Sequence, residues 1–310
     1  MAEREGEFAY EVEETVLKIR TWGEFLEGAR VKVGLISDTH CPQRCPHYPT
    51  TLGQAFRGVD LILHAGDVGE LWVLDALGSI APVVAVHGND DTDEAQRHLP
   101  FAQIISLGGK RLLLSHGHER DRERELAART DNSWSSQLGR RSRRARTADA
   151  DIFIHGHTHV PMCWTEDGVT IINPGAIASC NAMSRQVTQS VAILDIDDYG
   201  SMGIQHINLS RPATVFDPEF DTEVGFKESL RRFSESIVEA EIEEGFTQDW
   251  LHALEGYKAF QACLLRLSHE CWRGERDQIT ANDVIDAVRQ DPAVTENDRA
   301  KCVAAIVESR

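Results

Sequence analysis

The chain has 310 residues, 41% of them hydrophobic and 26% charged, and its formal net charge at pH 7 is −18. This composition is typical of a soluble globular protein, and the acidic balance argues against general nucleic-acid binding and against binding to anionic membranes. Seven scattered cysteines, an acidic N-terminus without signal-peptide features and the lack of a long apolar run predict a cytoplasmic protein that does not enter the membrane.

Residues 1–30 are interpreted as an acidic N-terminal extension, to which we assign no chemistry. Downstream, short apolar runs predict buried strands, and polar side chains follow each run. The runs and their polar residues are 31–37 before Asp38 and His40, 60–64 before Asp67, 82–86 before Asn89, Asp90 and Asp91, 111–115 before His116, and 151–154 before His157 and His159. Helices separate the first strands and later strands follow one another directly, which predicts mixed sheets.

Residues 119–149 are dense in charge and rich in arginine, which predicts a partly helical insert. Its acidic residues can pair with its arginines, in which case the insert is a solvated charged helix. Alternatively the insert is a lid in which Arg143 and Arg144 bind substrate phosphate through bidentate contacts. The sequence leaves both interpretations open.

From about residue 211 the pattern becomes helical, because apolar residues such as Phe226 and Leu230 recur at helical spacing. Residues 280–283 and 295–298 have the residue types of helix N-caps. We therefore expect residues 211–310 to form a separate all-helical region. Three roles are open for it: capping the active site, recruiting a partner, or forming a homo-oligomer.

The polar residues at the predicted strand ends are carboxylates, an amide and imidazoles. Together these groups suit divalent ions such as Mn²⁺, Fe²⁺, Zn²⁺ or Mg²⁺. Seven of them are too many for one ion, whereas two ions about 3.5–4 Å apart that share one carboxylate would use them all. His157 and His159 can face one pocket, since side chains two residues apart in extended chain point to the same side.

The ordered set of motifs resembles the calcineurin-like metallophosphoesterase family, in particular its small phosphodiesterase branch. The matching stretches are SDTH at 37–40, AGD at 65–67, GNDD at 88–91, SHGH at 115–118, GHTH at 156–159 and NPGA at 173–176. The resemblance covers roughly residues 31–210 and implies a metallophosphoesterase domain there. It implies an α/β fold, a four-layer α/β/β/α sandwich with two mixed sheets, followed here by the C-terminal all-helical region.

The resemblance also implies which residues bind two divalent metal ions. Asp38, His40, Asp67 and His159 would hold one ion, and Asp67, Asn89, His116 and His157 the other. We expect Mn²⁺, with Fe, Zn, Ni and Mg as alternatives. Asn89 would also contact the substrate, as would Arg143 and Arg144 in the lid interpretation.

The implied function is metal-dependent hydrolysis of phosphate esters, as a phosphodiesterase or phosphatase, by a hydroxide activated between the two ions. The expected substrate is a phosphate-ester small molecule or a nucleotide. Two alternatives remain open: a non-catalytic protein-binding scaffold on the same fold, and a phosphoesterase acting on nucleotides or RNA ends.

One residue departs from the family pattern. After Gly-Asn the family commonly has His, and its small phosphodiesterase branch often has Cys, but this chain has Asp90 followed by Asp91. We assign both aspartates to catalysis. A carboxyl beside two dications should have a lowered pKa, so Asp90 would donate a proton poorly and esters with acidic leaving groups should turn over faster. The alternative is that Asp90 is a solvated turn residue.

Overall fold

The computed structural model describes residues 13–15, 30–45, 48–246, 250 and 254–309. Its strands are β1 (Glu13–Thr15), β2 (Arg30–Ile36), β3 (Leu61–His64), β4 (Val83–Ala85), β5 (Ala102–Leu107), β6 (Lys110–Ser115), β7 (Ile152–Ile154), β8 (Met162–Glu166), β9 (Val169–Asn173), β10 (Ser184–Gln186), β11 (Ser190–Asp197), β12 (Met202–Asn208), β13 (Thr214–Phe216) and β14 (Ser234–Ser236). Its helices are α1 (Leu52–Ala55), α2 (Trp72–Gly78), α3 (Asp93–His98), α4 (Arg122–Thr130), α5 (Trp134–Thr147), α6 (Phe226–Arg231), α7 (Ala240–Gly245), α8 (Tyr257–Trp272), α9 (Ala281–Gln290) and α10 (Glu296–Glu308). The extension predicted over residues 1–30 lies outside the described residues except for β1 and Arg30.

The described strands form two six-stranded sheets and one two-stranded ladder. The first sheet has the order β13-β12-β11-β2-β3-β4, in which β2, β3 and β4 are parallel and the other three strands are antiparallel to their neighbours. The second sheet, β1-β5-β6-β7-β9-β8, also combines both kinds of pairing. Both sheets are therefore mixed, as the sequence predicted.

A hydrophobic core fills the space between the two sheets, since alternate residues of each strand point to it. Val33 and Leu35 of β2 share one buried cluster with Leu112 and Leu114 of β6. The other face of the first sheet packs against α1 and α2, and the other face of the second sheet packs against α5. The predicted four-layer α/β/β/α sandwich is confirmed.

The chain beyond residue 211 does not become helical at once. Strand β13 extends the first sheet, and β14 pairs with β10. After Ser236, α7, α8, α9 and α10 enclose a buried cluster of their own, which includes Ile242, Phe260 and Val284. The C-terminal helical region of the predicted fold class is confirmed, whereas the domain boundary at residue 210 and the homo-oligomer stay predictions.

The helical region begins its last two helices at the predicted N-caps. The Thr280 side chain accepts a hydrogen bond from the backbone N–H of Asp283 at 3.2 Å, and the Thr295 side chain accepts one from Asp298 at 3.1 Å. Trp272 of α8 joins this region to the sandwich by donating to the Ser184 carbonyl at 2.9 Å. Within the described residues, no helix combines the length and apolar character that crossing a membrane requires.

Candidate active site

The predicted polar residues converge at one edge of the sandwich because the strands that precede them are parallel. In the first sheet, β2, β3 and β4 point in one direction, and the backbone N–H of His40 donates to the Asp67 carbonyl at 3.0 Å between two of the loops that follow. In the second sheet, β6 and β7 are parallel, and the backbone N–H of Gly156 donates to the His116 carbonyl at 3.1 Å. Residues far apart in sequence thus reach one place.

The loops at these strand ends have an unusual backbone conformation. Side chains other than glycine rarely adopt a positive φ, and such strain persists mainly where the surrounding structure or function requires it. Five predicted ligands adopt it: Asp38 (53°), His40 (43°), Asp67 (51°), His157 (66°) and His159 (57°). The backbone is therefore bent at most of the positions to which the sequence assigned metal binding.

Two glycines allow the loops to approach the central carboxylates closely. A Cβ atom at Gly156 would lie 2.4 Å from Oδ2 of Asp38, and one at Gly88 would lie 2.0 Å from Oδ1 of Asp67. Neither distance is compatible with a side chain. Both glycines are therefore required by the position of a buried carboxylate rather than by a turn alone.

The first group of converging side chains contains Asp38, His40 and His159. One ligand atom from each lies within 4.8 Å of the other two. Nε2 of His159 is 3.1 Å from Oδ1 of Asp38, and the His40 and His159 rings stack with centroids 5.8 Å apart. All three side chains are buried. The group has the composition and spacing to hold a divalent cation.

The second group contains Asp38, Asp67 and His116, again within 4.8 Å of one another. His116 donates from Nδ1 to the Ala65 carbonyl at 2.9 Å, which orients its Nε2 toward Oδ2 of Asp67 at 3.1 Å. Among the described residues, Oδ1 of Asn89 is buried without a hydrogen-bond partner. Buried polar atoms are rarely left in this way, so this oxygen fits a ligand of a cation. Nε2 of His116 faces a carboxylate and also fits such a ligand.

Asp67 joins the groups, because it also lies within 4.8 Å of His40 and Asp90 in a third set. Burial acts to raise the pKa of Asp67, but the charges of His116 and His40 outweigh it and hold that pKa well below its usual range. Burial acts to lower the pKa of His116, but Asp67 outweighs it and raises that pKa to about 10. The buried carboxylates therefore attract positive charge, whether as a proton or as a cation.

His157 is the predicted ligand whose surroundings differ most from the prediction. Its backbone N–H donates to both oxygens of Asp38, at 3.2 and 3.1 Å. Its Nε2 lies 3.1 Å from Oε1 of Glu125, a buried residue of α4. While this contact holds, only Nδ1 of His157 is available to a cation. The sequence did not single out Glu125, since nothing in a charged helix marks one carboxylate as buried.

Asp90 is held by an arginine that the sequence also did not single out. Arg44 Nη2 lies 2.6 Å from Oδ2 of Asp90, and Arg44 Nη1 donates to the Cys180 carbonyl at 3.0 Å. Burial and the charge of Asp67 act to raise the pKa of Asp90, but Arg44 outweighs them and the pKa is lowered. Asp90 is therefore paired although it is exposed, and its assignment to catalysis stays a prediction.

Asp91 has a different environment from the one assigned to it. Its two carboxylate oxygens accept hydrogen bonds from the backbone N–H groups of Gly69 and Gly88, each at 2.7 Å. The residue is buried, and it is not among the residues that line the pocket beside the site. Asp91 therefore holds the loop that carries Asn89 and Asp90, and its assignment to catalysis stays a prediction.

A pocket of about 230 Å³ adjoins these groups. Its lining includes His40, Asp67, Asn89, Asp90, His157 and His159 from the strand ends, Arg44, and Arg140, Arg141 and Arg144 from α5. Arg144 donates to the His118 carbonyl at 3.2 Å and pairs with Glu119 at 3.0 Å. Arg143 is exposed and does not line the pocket, so its assignment to substrate binding is corrected. Helical geometry is the reason, since neighbouring positions on a helix point in different directions.

Arg141 of α5 differs from the neighbouring arginines because it lies on the buried face of the helix. Trp134, Leu138 and Ala145 are the apolar residues on the buried face of this helix. Arg141 lies three residues after Leu138 and four before Ala145, and therefore on the same face. The spacing that marks a buried helix face was present in the sequence.

A sequence profile described as the calcineurin-like phosphoesterase superfamily domain matches residues 31–199. The chain belongs to this superfamily. Two archaeal members are similar over most of their own length. A probable metallophosphoesterase of Methanothermobacter thermautotrophicus is 34% identical over 169 residues, which are 53% of this chain and 86% of the relative. The probable metallophosphoesterase MJ0623 of Methanocaldococcus jannaschii is 30% identical over 174 residues, or 56% of this chain and 80% of the relative.

Solved structures to which the chain is similar include a vacuolar sorting protein and a phosphodiesterase. Vacuolar protein sorting 29 from Cryptosporidium parvum has a TM-score of 0.48 and 20% identity, covering 60% of this chain and 96% of its own. A novel archaeal phosphodiesterase has a TM-score of 0.40 and 20% identity, covering 60% of this chain and 100% of its own.

Proposed function

We propose that this calcineurin-like phosphoesterase hydrolyses phosphate esters with the help of two divalent cations. The observation that carries the proposal is that Asp67 belongs to two adjoining groups of buried ligand atoms, one with His116 and one with His40. When bound, the cations would make a water molecule more acidic and would neutralise charge on the substrate phosphate.

The proposed division of ligands follows the two groups. Asp38, His40, Asp67 and His159 would hold one cation, and Asp67, Asn89, His116 and His157 the other. Support comes from Nε2 of His116, which lies 3.1 Å from Oδ2 of Asp67, and from Oδ1 of Asn89, which is buried without a hydrogen-bond partner among the described residues. Mn²⁺ is our proposed ion, with Fe, Zn, Ni and Mg as alternatives. The cytoplasmic location stays a prediction.

The other residues of the pocket would bind and orient the ester. Arg44 and Arg144 line the pocket and carry the positive charge that a phosphate requires. Asp90, whose pKa Arg44 lowers, would be ionised at neutral pH and could not protonate the leaving oxygen. The preferred substrates would therefore be diesters with an acidic leaving group, rather than alkyl monoesters.

Release of p-nitrophenol from bis(p-nitrophenyl) phosphate in the presence of Mn²⁺ tests this proposal. Asp67→Asn should lower kcat/KM by more than about 100-fold. Residues that only orient a metal ligand contribute up to about that factor, and Asp67 is itself a proposed ligand. Asp149→Asn is the matched control, because Asp149 also has a positive φ but is exposed and does not line the pocket.

Metal content after dialysis is a second measurement, which should fall in Asp67→Asn and not in the control. If the wild-type protein hydrolyses no phosphate ester with any of the five metals, the enzymatic proposal is wrong. A non-catalytic protein-binding scaffold on the same fold would then be the better description.

A further inference from the structure

Helix α5 lines one side of the pocket, and the role that we assign to it rests on the proposed function. Arg141 of α5 lines this pocket and is only 6% exposed. Its Nη1 donates to the backbone carbonyl of Gln137 at 3.0 Å and lies 3.4 Å from Oε1 of the same residue. Its Nε is buried and has no hydrogen-bond partner in the described part of the chain. Among the residues that the structure describes, no carboxylate forms an ion pair with it.

Three of the other four arginines along this helix have a carboxylate partner, and the fourth, Arg143, is exposed. Arg140 pairs with Asp131 at 2.8 Å, Arg144 pairs with Glu119 at 3.0 Å, and the exposed Arg146 lies 4.0 Å from Asp167. Arg141 is the most buried of the five and has no direct ion pair within the described part of the chain. Burial and the neighbouring charges of Arg144 and Arg140 lower its pKa to about 9, against the opposing charges of Glu119 and Glu125.

Glu119 and Glu125 line the same pocket, but neither forms an ion pair with Arg141 among the described residues. A buried charge without a direct ion pair is costly, so a protein gains by retaining one where a ligand supplies the pairing charge. The position of Arg141 is fixed in advance, because Trp134 of the same helix donates to Ser229 of α6 at 2.9 Å. A group held in this way loses little conformational entropy when it binds a ligand. These conditions suit an anion-binding residue.

The pocket connects Arg141 to the proposed reaction centre. Its walls include Asp67 and His159 as well as Phe226 and Leu230 of α6. We infer that the substrate carries a second anionic group, a phosphate or a carboxylate, in addition to the ester phosphate that is hydrolysed, and that Arg141 binds this second group. The apolar side chains of α6 would contact the part of the substrate between the two anionic groups.

Two matched substrates test the inference: thymidine 5′-(p-nitrophenyl phosphate) with and without a 3′-phosphate. We expect kcat/KM to be about tenfold higher with the 3′-phosphate, the lower end of what a hydrogen bond to a charged group contributes. In Arg141→Gln the ratio of the two values should fall to about 1. In Arg146→Gln, on the same helix but exposed, the ratio should be unchanged.

A third substrate with a 3′-O-carboxymethyl group distinguishes the two anionic groups. If the 3′-O-carboxymethyl group raises kcat/KM as much as the 3′-phosphate does, Arg141 binds anions in general. If it raises kcat/KM less, Arg141 binds phosphate preferentially. Arg141→Lys is a second variant, in which one ammonium should retain part of the ratio. The inference would be overturned if wild type and Arg141→Gln hydrolyse the substrates with the same ratio of kcat/KM with and without the 3′-phosphate. The proposed function would then remain intact.

Thermal unfolding of the metal-free protein gives a readout that does not depend on catalysis. Without anions, Arg141→Met should raise the melting temperature, because it removes a buried charge that has no direct ion pair. Pyrophosphate should stabilise the wild type and not Arg141→Met. A lower melting temperature in Arg141→Met would mean that Arg141 is a structural residue, whatever the outcome of the hydrolysis assays.

Discussion

The pocket has two walls that are built in different ways. The strand-end wall, formed by the loops after β2, β3, β4, β6 and β7, contains buried carboxylates and imidazoles on a backbone that repeatedly takes positive φ. The helical wall, formed by α4, α5 and α6, contains the buried Glu125 and arginines that pair with carboxylates of neighbouring loops, such as Arg144 with Glu119. The strand-end wall attracts cations, and the helical wall attracts anions.

This difference separates two tasks. Side chains at strand ends are fixed by the sheet hydrogen bonds behind them, so they can keep the exact spacing that metal ligands need. Side chains on a helix that packs against the sheet can change with less effect on that spacing. We expect the strand-end wall to determine whether the reaction occurs and the helical wall to determine which ester is accepted.

Glu125 provides the strongest test of this division of tasks. It belongs to the helical wall, but its Oε1 lies 3.1 Å from Nε2 of His157 in the strand-end wall. We predict that Glu125→Gln lowers kcat about 10- to 100-fold, because carboxylates that orient a ligating histidine contribute on that scale. Mn²⁺-dependent hydrolysis of bis(p-nitrophenyl) phosphate measures the change.

Glu123→Gln is the control for this variant, because Glu123 is an exposed residue of the same helix. The apparent affinity for Mn²⁺ should weaken in Glu125→Gln and not in the control. If both variants behave as wild type, the contact between Glu125 and His157 has no part in the reaction, and the two walls act separately.

Asp90 tests the strand-end wall at the position where this chain departs from its family. We predict that Asp90→His reduces the rate ratio between methyl p-nitrophenyl phosphate and methyl phenyl phosphate by about tenfold or more, because a general acid contributes most to the poorer leaving group. Asp93→His, an exposed change in the next helix, is the control. An unchanged ratio would show that the residue at position 90 does not protonate the leaving oxygen.

The same division explains which features could be predicted from the sequence. Asp38, Asp67 and His116 each follow an apolar run directly, so a local pattern sufficed to locate them and parallel pairing brought them together. Arg44 lies in a loop, and its contact with Asp90 spans 46 residues, which no local pattern predicts.

In α5 the difficulty was different. Arginines lie on several faces of this helix, so a dense run of charge hides the apolar spacing of Trp134, Leu138 and Ala145 that places Arg141 on the buried face. The strands β13 and β14 were missed for a similar reason, because strands of three residues depend on the neighbours with which they pair.

Arg143 and Arg144 test whether only the residues of the helical wall that line the pocket affect substrate binding. We predict that Arg144→Ala raises KM for bis(p-nitrophenyl) phosphate by about tenfold or less, since Glu119 already neutralises part of its charge. Arg143→Ala should leave KM within about a factor of two, because exposed charges contribute little. Equal increases in KM in the two variants would contradict the assignment of the pocket-lining residues.

His206 gives the smallest expected effect and tests how the strand-end wall is supported. Its Nε2 donates to the backbone carbonyl of Asn173 at 2.9 Å, and the Asn173 side chain donates to the Gly156 carbonyl at 2.8 Å. Burial lowers the pKa of His206 below 6.5, against the opposing effects of the Asn173 carbonyl and the charge of Asp217. In the folded protein His206 therefore takes up a proton only at a lower pH than in the unfolded chain.

The free energy of unfolding should consequently fall as the pH drops below about 6.5, because the unfolded chain binds the proton more tightly there. We predict that His206→Gln, which can still donate to the Asn173 carbonyl, shows a smaller loss between pH 7 and pH 5.5 than wild type in urea unfolding of the metal-free protein. The exposed His98→Gln serves as the control and should keep the wild-type loss. An identical pH dependence in all three proteins would mean that the support beneath the strand-end wall does not titrate, and other buried groups would then account for any acid sensitivity of this wall.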